Sequence, residues 1–275
     1  MGRSLMVKAA LKCAPYSFVS GFSDVRTTQF RPLTTHFGNE QVEEHEKEKR
    51  VHDVFASVAN KYDLMNDAMS LGIHRLWKDY YNRVQYNTNS VLDVAGGTGD
   101  IAFRLQKRIG STGRITVVDI NEKMLDVGRD RAKTEPLVDS TRLEWICANG
   151  EKLPFKENSF DVYTISFGIR NCTHVNEVVR EAYRVLKPGG MLAILEFSSV
   201  NPLLRPLYDA YSYNIIPVIA GDYDSYKYLV ESIRRFPNQD FAAMIRGIGF
   251  DMVRYENLTF GVCSIHKGTK PLKAK

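Results

Sequence analysis

Residues 91–100 read Val-Leu-Asp-Val-Ala-Gly-Gly-Thr-Gly-Asp, and residues 114–119 read Arg-Ile-Thr-Val-Val-Asp. Val91 to Val94 suits a buried strand, and the glycines at 96, 97 and 99 turn the chain where a Cβ would block a ligand. Ile101 to Ile109 then has the pattern of a helix, which Gly110 stops. The second apolar strand ends on Asp119, where a carboxylate meets a ribose hydroxyl pair. Together the two stretches predict a strand–helix–strand unit that binds a nucleoside.

The glycine spacing and the nearby charge decide which nucleoside. A dinucleotide domain uses Gly-x-Gly-x-x-Gly so that a pyrophosphate rests on the helix N-terminus, and Ile101 and Ala102 leave that pattern poorly matched. Asp93 before the turn and Asp100 at the helix start repel a diphosphate and suit a cation. S-adenosylmethionine carries a sulfonium, an ammonium and a ribose but no phosphate. The Asp-x-Ala-Gly-Gly-x-Gly loop with distal Asp119 therefore favours a class I methyltransferase over a NAD-type domain, with a ligand-free glycine turn as the bland alternative.

With 275 residues and 44% hydrophobic content, the chain can bury a full core in one main domain. No apolar run approaches the roughly 18 residues that a membrane span requires, which predicts a soluble protein. The net charge of +5 is concentrated before residue 40, where Arg3, Lys8, Lys12, Arg26 and Arg31 face the single acid Asp24. That segment is also rich in Ser and Thr, the composition of a mitochondrial transit peptide, or else of a disordered basic tail. Cys13, Cys147, Cys172 and Cys263 lack the spacing of a metal site or disulfide framework, and the remaining basic residues are too interspersed with acids for a nucleic-acid stripe.

The charged run Glu40–Arg50 reads as the solvated start of a helix, and Val51, Val54, Phe55, Val58 and Tyr62 continue at helical spacing, so residues 47–67 should pack on the core. Strands at 91–94, 114–120, 143–148, 160–165 and 191–197 alternate with helices at 100–109, 122–132 and 175–186, with Pro188-Gly189-Gly190 ending the last helix. A helix at 238–248 precedes two strands, Asp251–Asn257 and Val262–Lys267, joined by a turn containing Gly261. The predicted fold is α/β: a Rossmann-like seven-stranded, mostly parallel sheet with a closing antiparallel hairpin and N-terminal helices. Prolines and tyrosines crowd residues 201–237, consistent with an aromatic lid over an apolar substrate or with packed helices. The implied organisation is a tail at 1–40, a helical extension at 41–90, a cofactor-binding domain at 91–268 with the insertion at 201–237, and a tail at 269–275.

Seven words along residues 50–268 resemble the ubiquinone/menaquinone biosynthesis C-methyltransferase family. They are Val54-Phe55 through Ala59-x-x-Tyr62-Asp63-x-Met65-Asn66, Leu92 to Asp100, Asn149-Gly-Glu-x-Leu-Pro-Phe155, Ile165-Ser-Phe-Gly-Ile-Arg-Asn171, Tyr183-Arg-Val-Leu-Lys-Pro-Gly-Gly190, Leu195-Glu-Phe-Ser198 and Asp224-Ser-Tyr-x-Tyr-Leu229. Ala95 stands where methyltransferases in general carry the loop's first glycine, but this family also has alanine there. The resemblance implies S-adenosylmethionine as cofactor, held by Gly97, Thr98, Asp119, Asn149, Gly150 and Ser166. It implies a polyprenyl benzoquinol, 2-methoxy-6-polyprenyl-1,4-benzoquinol, as acceptor in ubiquinone biosynthesis. It also implies a place on the matrix side of the mitochondrial inner membrane within a multi-subunit coenzyme Q complex, with the oligomeric state, a homodimer included, left open.

Physical reasons accompany these residues. Gly97 lets the backbone approach the ligand, the Asn149 amide can pair with an adenine edge, and Ser166 lies at the carboxyl edge of the sheet. The alternatives are a turn role for Asn149 and local capping for Ser166. Arg170 is the catalytic candidate. A guanidinium with a pKa above about 12 is no base, so it is read as a cation that orients a phenolate or a water, with Asn171 assisting and a surface ion pair as the alternative. Glu196 and His174 are weaker candidates for proton transfer. Another small-molecule or lipid methyltransferase, and a non-catalytic scaffold that keeps the fold, remain open.

Overall fold

The computed structural model describes residues 34–38, 40–58, 66–67, 70–83, 90–198, 200–214, 228, 231–233 and 238–272. Strand β3 (Ser90–Val94) is an inner strand of a seven-stranded sheet with β4 (Arg114–Asp119), β5 (Leu143–Cys147), β6 (Phe160–Ser166), β7 (Leu186–Phe197), β8 (Asp251–Leu258) and β9 (Cys263–Thr269). The order is β5-β4-β3-β6-β7-β9-β8. The first five strands run parallel, and β9 pairs antiparallel with both β7 and β8.

The strands are apolar on both faces because the period-two alternation feeds two cores. Val91, Val162, Ala193 and Leu195 point to one face, against Ile101 and Leu105, and Leu92, Val94, Tyr163, Ile165 and Ile194 point to the other, against Val178, Val179 and Ala182. The flanking helices supply the matching stripes: α3 (Asp100–Gln106), α4 (Glu122–Thr134), α5 (Val175–Val185) and α7 (Asn238–Ile248). Two helices precede the sheet, α1 (Glu44–Val58) and α2 (His74–Tyr81), and α6 (Arg205–Asn214) follows β7. The α2 helix is tied down by its middle and its last residue, with Trp77 Nε1 donating to Thr259 Oγ1 at 2.8 Å and Tyr81 Oη to the Ala193 carbonyl at 2.7 Å.

Several boundaries differ from expectation. Residues 40–43 are not the start of a helix; they form β2 (Glu40–Glu43), which pairs antiparallel with β1 (Thr34–Phe37), so a hairpin crosses the predicted boundary between tail and extension. Backbone pairing there overrides the helical bias of a Glu-rich run. The predicted helix at 100–109 stops at Gln106, and β7 begins at Leu186, running through Gly189, whose φ of 81° no Cβ would favour. Thr269 still pairs with Met191, which places it in the sheet rather than in a C-terminal tail. The tail up to residue 33 and most of the insertion beyond α6 lie outside the described residues.

The α4 helix packs on the glycine loop so closely that Gly128 admits no side chain: a Cβ there would stand 2.5 Å from Trp145 Cζ3 and 3.1 Å from the carbonyl carbon of Thr98. Helix propensity favours Gly→Ala by about 1 kcal/mol, while overpacking costs about 1–3 kcal/mol. Gly128→Ala should therefore lower stability in a denaturant titration, and a neutral or stabilised variant would show that α4 can shift away from the loop.

A candidate cofactor and acceptor site at the carboxyl edge of the sheet

After β3 the chain turns sharply. Ala95, Gly97 and Gly99 have positive φ values of 50°, 51° and 81°, and Gly99 N donates to the Gly96 carbonyl at 2.9 Å. The turn lifts Gly97 N toward β4, where it donates to Asp119 Oδ2 at 2.9 Å, while Oδ1 accepts from Asn121 N at 2.9 Å. Asp119 is thereby fixed by backbone donors, with lone pairs left for a diol. Burial, against those two hydrogen bonds, raises its carboxyl to about 6. On the neighbouring strand Asp93 accepts from Thr164 Oγ1 at 2.7 Å through Oδ1, and its Oδ2 is buried without a partner. Burial first, then the like charges of Asp119 and Asp100, push Asp93 up to about 7. Asp100 differs: despite burial, Lys78 at 2.7 Å and Arg104 at 3.2 Å bring it down to about 2.

The next strand supplies the other wall. Ser166 Oγ, at the end of β6, is buried with no hydrogen-bond partner among the described residues. Phe167 follows at a φ of 54°, and Gly168 must be glycine because a Cβ would collide with that of Ala95. A 3-10 turn, Ile169–Asn171, then presents Arg170 and Asn171. Arg170 Nη1 donates to Glu196 Oε1 at 2.6 Å and to the Phe167 carbonyl at 2.8 Å, Nε donates to Ser232 Oγ at 3.3 Å, and the guanidinium lies over the Phe197 ring at 5.2 Å. The two side chains of this pair are 4% and 0% exposed. Asn171 Oδ1 accepts from Tyr228 Oη at 2.9 Å, and Tyr228 stacks on Phe37 of β1 with ring centres 4.0 Å apart.

The N-terminal elements cover this edge. Asn121 Nδ2 donates to the His52 carbonyl of α1 at 3.1 Å, and Lys47 Nζ donates to the Cys172 carbonyl at 2.8 Å. His174 bridges two acids, with Nδ1 on Glu151 at 2.8 Å and Nε2 on Glu44 at 3.1 Å, and those contacts raise its pKa. The α1 helix thus spans from the start of α4 to the start of α5.

The candidates named from sequence meet at this edge with differing geometry. Asp119, Gly97 and Ser166 stand together at the carboxyl ends of the strands. Gly150 lies beneath Val94, whose Cγ1 would be 2.9 Å from an added Cβ. Thr98 turns inward: its Oγ1 accepts from Arg131 Nη1 at 2.9 Å and its carbonyl from the same nitrogen at 3.4 Å. Asn149 Oδ1 accepts from Glu151 N at 2.8 Å, a turn bond that leaves only the NH2 group for an adenine edge. The ion pair of Arg170 is buried rather than on the surface, and Glu196 is held by Arg170 and by Phe197 N. Asp93, read from sequence as an acid that suits a cation, stands at this edge as well, whereas Lys78, Lys47 and Tyr228 were not singled out from sequence. Lys78 was legible in principle as a charge on an otherwise apolar helix face.

Asp93 and Asp119 hold protons in the folded state that they release near pH 4 when unfolded. Their stabilising contribution is present at about pH 4 and lost as the pH rises through about 6 and 7. His266, lowered to about 4 by burial, titrates in the opposite sense, so the comparison of variants is the clean measurement. The fall in stability from pH 5 to pH 8 should be smaller in Asp93→Asn, where the amide oxygen keeps the Thr164 bond, than in the unliganded wild type. Equal slopes would mean that Asp93 is ionised throughout. A cationic ligand should bind more tightly at pH 8 than at pH 5, with proton release.

Comparison with known proteins agrees with this geometry. A sequence profile of the ubiE/COQ5 methyltransferase family matches residues 43–270. A Caenorhabditis elegans protein named 2-methoxy-6-polyprenyl-1,4-benzoquinol methylase, mitochondrial, is 64% identical over 247 residues, covering 87% of this chain and 86% of that one. A Ruegeria protein named ubiquinone/menaquinone biosynthesis C-methyltransferase UbiE is 54% identical, covering 88% and 99%. Among solved structures, a Thermotoga maritima SAM-dependent methyltransferase, possibly a histamine N-methyltransferase, superposes with a TM-score of 0.60 at 19% identity, covering 80% of this chain and 99% of that one; at that identity it speaks for the fold alone. The chain belongs to the ubiE/COQ5 methyltransferase family and is a class I methyltransferase that takes its methyl group from S-adenosylmethionine.

Proposed function

We propose that this protein methylates a ring carbon of 2-methoxy-6-polyprenyl-1,4-benzoquinol in mitochondrial ubiquinone biosynthesis, the activity that its relatives' names state. The observation that carries the reading is the pairing of two surfaces at one sheet edge. One is anionic, formed by Asp93 and Asp119; the other carries a neutralised arginine and an amide in a 3-10 turn. The first suits the cation, ribose and ammonium of the methyl donor. Gly97, Asp119, Asn149, Gly150, Ser166 and the Thr98 backbone hold the donor, which supplies an electrophilic methyl group when bound.

The acceptor carbon becomes nucleophilic only as its ring hydroxyl ionises, and a free phenol has a pKa of about 10. Arg170 is oriented by Glu196, Ser232 and the Phe167 carbonyl, and these bonds leave its Nη2 edge without a partner among the described residues. We assign that edge to the phenolate oxygen, with Asn171 alongside. Because Glu196 offsets its charge, Arg170 acts chiefly through directed hydrogen bonds. In the cell, a long apolar tail has its reservoir in a bilayer, which supports a peripheral place on the matrix face of the inner membrane, within an assembly of quinone-modifying enzymes.

Incubation of the purified protein with labelled S-adenosylmethionine and a demethyl-quinol should yield the C-methylated quinol, and absence of product would remove the reading. Asp119→Ala should weaken donor binding by about 1.5–3 kcal/mol in calorimetry, the loss of charge-assisted hydrogen bonds, and unchanged affinity would take Asp119 out of the site. Arg170→Ala strands the buried Glu196 and should cost about 3–5 kcal/mol of stability. The double variant Arg170→Met with Glu196→Leu should regain most of that loss, yet methylate about a hundredfold or more slowly. Near-wild-type turnover in the refolded double variant would make the pair purely structural. Fusion of residues 1–40 to a reporter should direct it to mitochondria, and a cytosolic reporter would count against the matrix.

A further inference from the structure

Lys47 is an outlier among the charged side chains. Lysine is almost never fully buried unless paired, yet Lys47 is 6% exposed and among the described residues its hydrogen bond goes to the carbonyl of Cys172 at 2.8 Å. The described residues give it no ion pair. The charged and titratable groups that face it are Glu44 on its own helix, Glu151 after the Asn149–Gly150 turn, the Cys172 thiol and, through both acids, His174. Glu44 and Glu151 are taken up by the two ring nitrogens of His174, and Glu151 Oε1 also accepts from Thr173 N and His174 N. Lys47 is therefore near two carboxylates but bonded to neither, and among the described residues its other two N–H directions meet no hydrogen-bond partner.

Its position is as telling as its burial. Cys172 closes the 3-10 turn that carries Arg170 and Asn171, and that turn leaves the carboxyl end of β6 beside Ser166. Ligands of parallel α/β sheets collect at this edge. The α1 helix lies over it, so Lys47 hangs from the cover toward the turn where the acceptor belongs. Burial lowers the pKa of its amine, against smaller opposing effects of Cys172, Glu151 and Glu44. A buried amine of this kind is suited to accept a proton.

We infer that Lys47 is the general base of the methyl transfer: its neutral Nζ accepts the hydroxyl proton of the quinol and, as an ammonium, then holds the phenolate oxygen. The inference rests on the quinol reading above and assigns the proton-transfer role that Arg170 cannot fill. In the step, the O–H bond breaks and an N–H bond forms. The phenolate pair moves into the ring, the ring carbon bonds to the methyl group, and the C–S pair returns to sulfur, leaving a neutral thioether. The ring carbon then loses its proton to water, aromaticity is restored, and the ammonium returns its proton to the oxygen. One proton is released per turnover, and Lys47 ends neutral.

The test is single-turnover methylation of a short-tailed demethyl-quinol at saturating S-adenosylmethionine, from pH 6 to pH 10, with wild type, Lys47→Met and Lys47→Arg. The donor dissociation constant and the unfolding temperature are measured in parallel. The wild-type rate should rise and level off below the ordinary lysine range, about 10.4. Lys47→Met should keep its fold and bind the donor within about threefold. At pH 7 it should react about a hundredfold more slowly, climbing tenfold per pH unit toward the phenol's own ionisation. Lys47→Arg, which can keep the Cys172 bond but accept no proton, should be as slow as Lys47→Met at pH 7. A Lys47→Met profile parallel to wild type, or rescue by arginine, would reduce Lys47 to a tie between α1 and the turn. A wild type that methylates no quinol would overturn the function itself and the base with it, whereas an active wild type with parallel profiles overturns the base alone.

Discussion

Two carboxylates, Asp93 and Asp119, end adjacent central strands in a buried setting with no ion pair against either among the described residues. Burying anionic charge this way is costly, and the protein limits the cost by giving Asp119 two backbone N–H donors and Asp93 one hydroxyl. The tight turn after β3, the glycines within it and the close packing of α4 all serve to bring Gly97 N to Asp119. The nearest cations are diverted: Lys78 and Arg104 go to Asp100, and Arg131 to Thr98. Among the described residues no cation pairs with Asp93 or Asp119, the setting into which we place the sulfonium and ammonium of the methyl donor.

The opposite side of the edge follows the reverse rule. There the cation Arg170 is matched by a buried acid and a ring face, so its role becomes directional rather than coulombic. The chemistry is divided accordingly. One wall carries acids with no ion pair among the described residues, and the other carries the arginine edge that we assign to the acceptor's phenolate. The N-terminal cover is tied to both walls through His52, Lys47, His174 and Phe37.

What was legible in the sequence followed from local rules. The apolar runs of Val91–Val94 and Arg114–Asp119 and the glycine spacing depend on near neighbours, and the helix at 238–248 fell where its periodicity put it. Illegible features came from partners distant in sequence. The β1–β2 hairpin opens within a charged stretch that reads as helix, because its pairing is backbone pairing and leaves little mark on side-chain pattern. Thr98 turns inward because Arg131, 33 positions later, reaches it, and Arg170 is buried because Glu196, 26 positions later, waits at the end of β7. The order of burial among charges is a tertiary property, so a reading that treated Arg170 alone could not separate a surface pair from a buried one.

The place of β9 has a consequence for how the protein is made. It is the last strand in sequence, yet it lies between β7 and β8 and joins them. Until residue 269 has emerged from a ribosome or a translocation pore, β7 presents a long open edge of unpaired N–H and C=O groups, and β8 has no neighbour at all. Vectorial synthesis or import therefore cannot finish this sheet strand by strand. A half-delivered chain is a β-edge seeking a partner, which makes it a natural client for chaperones during that interval.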